Sequence, residues 1–252
     1  MTHPQPAQPE TSVERFFLPQ SLQLATLEIG GAEAHHLLHV LRAKVGDRIG
    51  LFNGSGDEAQ AEIIQSGKRS ATLRVVETWT TPAEAGELIL ATALPKGDRA
   101  RWLVEKATEL GVSRVLPLRT ARSVVEPREG KIDKLEQTII AACKQCGRSR
   151  LLRLSSPTSF TEMLRSINPE QCHSMIAHPE ATMSVGDALQ QITKSSSAQV
   201  LIGPEGGFTN EELSAAIAAG VRPISLGPLI LRIETAVIAI AAAWRMSRTS
   251  GS

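Results

Sequence analysis

Tyrosine is absent from these 252 residues, and five phenylalanines with three tryptophans leave the aromatic share at 3%. A chain this poor in rings cannot rely on stacking successive bases, so any nucleic acid it binds is read by shape and charge. Cysteine is almost as scarce. Cys143, Cys146 and Cys172 are an odd number without a repeating pattern, which fits a reducing, cytoplasmic setting better than a disulfide framework. Long apolar runs are missing too: the closest, AVIAIAAAW (236–244), is about half of the ~18 residues a membrane span requires. MTHPQPAQPETS, residues 1–12, carries three prolines and no hydrophobic stretch. It lacks the core of a secretory signal and reads as a disordered tail. Neither sign of charge is in surplus, with 27 Lys and Arg against 26 Asp and Glu. Average composition therefore neither demands nor excludes a polyanionic partner.

What is present is a hydrophobic share of 42%, enough to bury a sizeable core. The pattern changes once along the chain. After a possible strand near Leu22–Ile29, GAEAHHLLHVLRAKVGD puts Leu37, Leu38, Val40 and Leu41 on one helical side ending near Lys44. Short apolar segments then alternate with turn signals at Asn53-Gly54 and Ser66-Gly67. Residues 13–78 are thus expected to be a small, mainly β domain of barrel type. TTPAEAG (80–86) has linker composition. Beyond it, strands such as ELILATAL, VSRVLPL, HSMIAH and AQVLIG alternate with helices, with Gly111 and Gly147 as helix stops. That alternation predicts an α/β domain over 79–248, with parallel strands and ligands at their carboxyl ends. The loops there include LPKGDR, AHPE, GPEGG and LGPLILR.

The GPEGG loop resembles a phosphate cradle, yet both nucleotide fingerprints, G-x-G-x-x-G and the P-loop ending in Gly-Lys-Ser/Thr, are absent. Thr209 with Glu212 forms a capping box and Phe208 with Leu213 a hydrophobic staple, so the following helix satisfies its own first amides. Adding Glu205 makes an anion still less welcome. Gly203, Gly206 and Gly207 permit close approach of backbone to ligand, and Pro204 stiffens the turn. A neutral or cationic ligand suits this loop better, although a tight turn with no ligand reads equally well.

In ISLGPLILRIETAVIAIAAAW (224–244), Arg232 and Glu234 interrupt an apolar segment. Either they face solvent on a helix's first turn, or they sit in a pocket, one contacting substrate and the other orienting it. Cys143-Lys-Gln-Cys146 has zinc spacing but no second pair, and His35 and His39 lack the glutamate of a zinc-protease motif. No metal site is expected.

LIGPEGGFTNEEL followed by ISLGPLILRIETAVIAI resembles the paired C-terminal motifs of the RsmE-type small-subunit (16S) ribosomal RNA uridine-N3 methyltransferases, in the SPOUT superfamily. HHLLHVLRAKVGD, LPKGDRARWLVEKATELGVSRVLPL, RSVV, AACKQCGRSR and AHPE resemble that family's other segments in order and spacing, from about Val13 to Met246. Two positions depart from its pattern: Leu229 stands where the family has arginine, and Ile233 where it has threonine. The resemblance implies a PUA-like RNA-binding β-barrel at 13–78. Behind it, at 79–248, it implies a SPOUT methyltransferase domain with a C-terminal trefoil knot, dimerising so that both chains shape the site. It also implies S-adenosyl-L-methionine as cofactor, held by Ile202, Gly203, Glu205, Gly206, Leu226, Gly227, Leu231 and Arg232, with Ala177 and His178 beside them. A sulfonium cation would account for Glu205. The partner is then 16S rRNA or the assembled small subunit.

Because uracil N3 carries a proton at neutral pH, transfer requires a base and stabilisation of the anion, roles that Glu234 and Arg232 can fill. Basic residues near strand ends offer phosphate contacts: Arg42, Lys96, Arg99, Arg122, Arg148 and Arg150. Two other readings stay open, a non-catalytic RNA-binding or ribosome-assembly protein and a nucleotide-dependent enzyme, and cofactor binding separates them.

Overall fold

The computed structural model describes residues 14–123 and 129–249; the expected tail at 1–12, and Val124 and Val125 of the RSVV motif, lie outside them. The chain divides into two compact units. One ends at Ala83 and also holds Gly147–Arg150; the other comprises Glu84–Cys146 and the residues from Leu151 onward. The inclusion of 147–150 in the first unit departs from the single linear boundary that composition suggests. Backbone and side chain both hold the segment there: the Gly56 amide donates to the Ser149 carbonyl at 3.3 Å, the Arg150 guanidinium lies where a Cβ on Gly56 (φ 104°) would stand, and Arg150 Nη2 donates to the Thr81 carbonyl at 2.9 Å.

In the first unit, β1 (Arg15–Phe17), β3 (Arg48–Phe52), β4 (Asp57–Ser66), β5 (Ser70–Thr80) and β2 (Thr26–Gly30) form a five-stranded sheet in that order. β1 runs parallel to β3 and the other ladders are antiparallel. Leu27, Ile29, Ile49, Leu51, Ala59, Ala61 and Ile63 alternate inward to share one core with Phe16 and Leu37. The β3–β4 turn is held by Asn53, whose Oδ1 accepts from the Ser55 and Asp57 amides.

The helix expected to run to Lys44 is shorter than its apolar pattern suggests. α1 covers only Gly31–His35, and His36–Val40 form a π turn in which the Leu41 amide donates to the His36 carbonyl. The wider turn leaves Leu37 buried but swings Val40 out to 60% exposure. Two residues beyond it, Arg42 adopts φ 54°, the one positive φ outside glycine among the described residues.

The second unit alternates β6 (Leu88–Thr92), α2 (Asp98–Glu109), β7 (Arg114–Arg119), α3 (Glu129–Cys146), β8 (Arg153–Leu154), β9 (Thr158–Ser159), α4 (Phe160–Arg165), β10 (Cys172–Ala177), α5 (Val185–Gln190), β11 (Ser197–Ile202), α6 (Asn210–Ala218), β12 (Arg222–Ile224) and α7 (Ile233–Thr249). All of its ladders are parallel, in the order β12-β10-β11-β6-β7-β8, with β9 also on β7. α7 buries Ile233, Ala236, Val237, Ile240, Ala241 and Trp244, a spacing that keeps one helical face inward.

α3 buries Leu135, Ile139, Ala142 and Cys143, but Cys146 is exposed at the helix end where Gly147 (φ 80°) turns the chain away. The two cysteines therefore do not present a joint face. Burial pushes the third thiol, Cys172, up to about 11 with help from the Glu87 charge, so it stays protonated and unreactive at neutral pH.

Candidate functional site

Strand order decides which loops meet. β12, β10, β11 and β6 are successive neighbours, and Ile224 pairs with Ala177 while Ile202 pairs with Thr92, so these strands end level with one another. The segments that follow, 225–232, 178–184, 203–209 and 93–97, therefore emerge side by side at the carboxyl edge, where parallel sheets place ligands.

Between three of them lies a cavity of about 390 Å³, within the ~300–1,000 Å³ common for small-molecule sites. Ala177, His178, Ile202, Gly203, Glu205, Gly206, Leu226, Gly227 and Leu231 all line it. Of the residues expected to hold a ligand, only Arg232 is not among the lining; it is exposed. Pro204 and Gly207, read as shaping the loop, line the cavity as well, and sequence reasoning missed Pro179, Glu180, Phe208, Asn210, Leu229, Ile230 and Ala236. All of these but Ala236 are neighbours along the same segments and could have been included by continuity. Arg122 also lines the cavity, and nothing local marks it for that place.

The loop after β11 is built tightly. The Gly207 amide donates to the Pro204 carbonyl at 2.8 Å, closing a turn in which Gly207 takes φ 68°. A Cβ on Gly203 would stand 3.1 Å from the Phe208 ring and 3.2 Å from the Gly207 carbonyl carbon, so glycine lets the turn fold back on itself. Phe208 is buried, 5.5 Å from the Phe160 ring, in a cluster that Leu213 joins. The α6 capping box is complete: Thr209 Oγ1 accepts from the Glu212 amide and Glu212 Oε2 from the Thr209 amide. Glu212 Oε1 reaches further, accepting the Ala121 amide at 2.8 Å. Beside it, Arg122 Nη1 donates to the Gly206 carbonyl at 2.6 Å, and its stem lies against Gly206. The loop after β7 thus braces the loop after β11, and Arg122, expected at a phosphate, is engaged with backbone.

Glu234 lies in the first turn of α7 and is 6% exposed, which removes the solvent-facing reading for it while Arg232 keeps that position. Glu234 Oε1 lies 3.8 Å from Arg99 Nη1, and its buried Oε2 has no hydrogen-bond partner. The same Arg99 nitrogen is 3.3 Å from Glu205 Oε1, so Glu205, at 55% side-chain exposure, already faces a cation. The first turn of α7 also favours a carboxylate through its exposed amides.

The other basic residues belong to both units. Lys96 is exposed on the turn after β6 and Arg42 on the first unit, while Arg148 is half-buried and Arg150 is occupied by Gly56 and Thr81. Among the described residues, no three His, Cys, Asp or Glu side chains gather as a metal site would need, and no helix is long and apolar enough to cross a membrane.

A family model described as an RNA methyltransferase domain matches residues 82–245, and one described as an RNA methyltransferase PUA domain matches 29–76. Ribosomal RNA small subunit methyltransferase E of Bacillus subtilis is 33% identical over 242 residues, 89% of this chain and 93% of that protein. Among solved structures, a putative methyltransferase of Legionella pneumophila in complex with SAM superposes with TM-score 0.83 at 31% identity, covering 94% of this chain and 98% of that one. The S-adenosyl methionine-bound ribosomal RNA small subunit methyltransferase E of Neisseria gonorrhoeae also gives 0.83, at 29% identity, covering 93% and 98%.

Proposed function

This chain belongs to the ribosomal RNA small subunit methyltransferase E family, and from that premise we propose that it methylates N3 of one uridine in 16S rRNA, using S-adenosyl-L-methionine. The observation that carries the site assignment is the convergence of Ala177–His178, Ile202–Gly206 and Leu226–Leu231 on one cavity. These residues fit the cofactor: Ile202, Leu226 and Leu231 offer apolar walls, and the glycines open main-chain groups to a ligand. The loops 203–209 and 225–232 are the segments we assign to a trefoil knot of the SPOUT type. We further assign a homodimer in the cytoplasm, with the small subunit as substrate.

When bound, the cofactor supplies an electrophilic methyl on a sulfonium sulfur. The protein's part is to align, to exclude water and to manage a proton. Glu234 is our base for the N3 proton: its Oε2 is buried without a partner, so it has a free acceptor site in a dry setting. Arg232, exposed at the head of α7, supplies charge to the uracil anion. Glu205 adds negative charge at the mouth, which favours a cation over a phosphate group. Arg42, Lys96 and Arg148 remain our candidates for RNA phosphates.

The test incubates protein and cofactor with small subunits lacking the modification, alongside naked 16S rRNA, and maps reverse-transcription stops. A new stop at one uridine is expected, because N3 methylation blocks the pairing edge. Cofactor binding without any stop on either substrate would count against uridine N3. Arg122→Ala should weaken cofactor binding by about tenfold in calorimetry, the loss of roughly one charge-assisted hydrogen bond on an exposed loop. An unchanged affinity would show that Arg122 does not brace the site.

A further inference from the structure

Arg99 stands in the first turn of α2, and its Nη1 is shared between two carboxylates on different elements, Glu205 on the cavity loop at 3.3 Å and Glu234 on α7 at 3.8 Å. As a phosphate contact it is poorly placed. One guanidinium between two carboxylates sums to a net negative cluster if all three are ionised, and a phosphate approaching it meets repulsion. The same cluster gives Glu234 its cation: among the described residues, Arg99 is the one basic side chain within salt-bridge reach of that carboxylate. A carboxylate that is 6% exposed, with one oxygen unpartnered, has lost hydration that a neighbouring cation offsets. A guanidinium suits the task because its planar fork stays charged and can face two acceptors at once.

We propose that Arg99 is a positioning residue for methyl transfer, a clamp that ties the Glu205 loop to Glu234 and holds the Glu234 carboxylate in place as the proton acceptor. This rests on the assignment of Glu234 as base. It redirects Arg99 from RNA binding to the reaction itself, and it makes the cavity loop and the base parts of one unit.

The full-length protein carrying Arg99→Met, Arg99→Lys, Glu234→Gln or the Arg99→Met/Glu234→Gln pair is assayed for single-turnover methylation at saturating cofactor and RNA. Cofactor affinity is followed by calorimetry and RNA affinity by filter binding at two salt concentrations. Arg99→Met should slow the transfer step by about 100-fold, with RNA affinity and its salt dependence unchanged, and Arg99→Lys should recover about a tenth of the parent rate or more. Because the charge to be held is already gone in Glu234→Gln, adding Arg99→Met there should cost little further; this pair also guards against loss of rate through unfolding around an unpaired buried charge. The proposal is overturned if the two substitutions multiply. It is equally overturned if Arg99→Met leaves the saturated rate intact and lowers the salt slope of RNA binding by ~1, the mark of a lost phosphate contact. A parent protein that binds cofactor but methylates no RNA overturns the underlying reading instead, a result distinct from an active parent with an indifferent Arg99.

Discussion

Glu234→Gln is expected to lower the rate of methyl transfer by about 10²–10⁴-fold, the usual worth of a positioned general base, with cofactor affinity close to the parent's. The amide keeps the shape of the side chain and fills the same buried space in the first turn of α7. What it removes is the capacity to take a proton. The structural cost is small, since losing a carboxylate at a helix N-terminus forfeits only ~0.3–1 kcal/mol and the replaced charge was itself buried. A single-turnover assay with labelled cofactor at saturating RNA measures the chemical step directly. If Glu234→Gln transfers methyl at the parent rate, Glu234 is not the base, and its burial beside Arg99 is purely architectural.

Phe208→Ala is expected to destabilise the second unit by about 3–5 kcal/mol, as for other large aromatic truncations in cores. Phe208 is 7% exposed, packs on Phe160 in the cluster under α4 and α6, and supports Gly203 from below. Its loss leaves a cavity that the capped start of α6 cannot easily close, because Thr209 and Glu212 hold the helix where it is. The loop then loses the surface it folds against, so cofactor affinity should fall together with stability. Urea unfolding with a constant slope, and calorimetry on the folded protein, separate the two effects. A change below ~1 kcal/mol, with cofactor binding intact, would mean that the loop keeps its shape without the ring.

The local signals proved informative where the chemistry is local. The capping box at Thr209 and the strand-ending loops depend on residues adjacent in the chain, and each is found where its pattern lies. Some local signals were present but unused: Ser159 and Glu162 form the same capping box at the start of α4, a helix the periodicity did not single out because it is only six residues long. Near His36–Val40 the apolar spacing misled, since a helical period cannot announce a π turn that inserts extra arc and rotates Val40 to the surface. What Glu234 faces was not legible either, because its ionic neighbour, Arg99, is far along the chain and arrives through the α2–α7 packing.

By itself, then, the sequence determined which residues could line a ligand cavity, because glycine placement, turn-forming proline and helix caps are properties of short stretches. It also carried the family, through motifs kept in order over most of the chain. Only the tertiary structure decided what those residues face. The order β12-β10-β11-β6 brings four distant loops to one edge; burial leaves Glu234 without solvent; and one arginine, expected at RNA, stands between two carboxylates. Charge pairing across the sheet edge depends on distances between elements, and no pattern along one element encodes those.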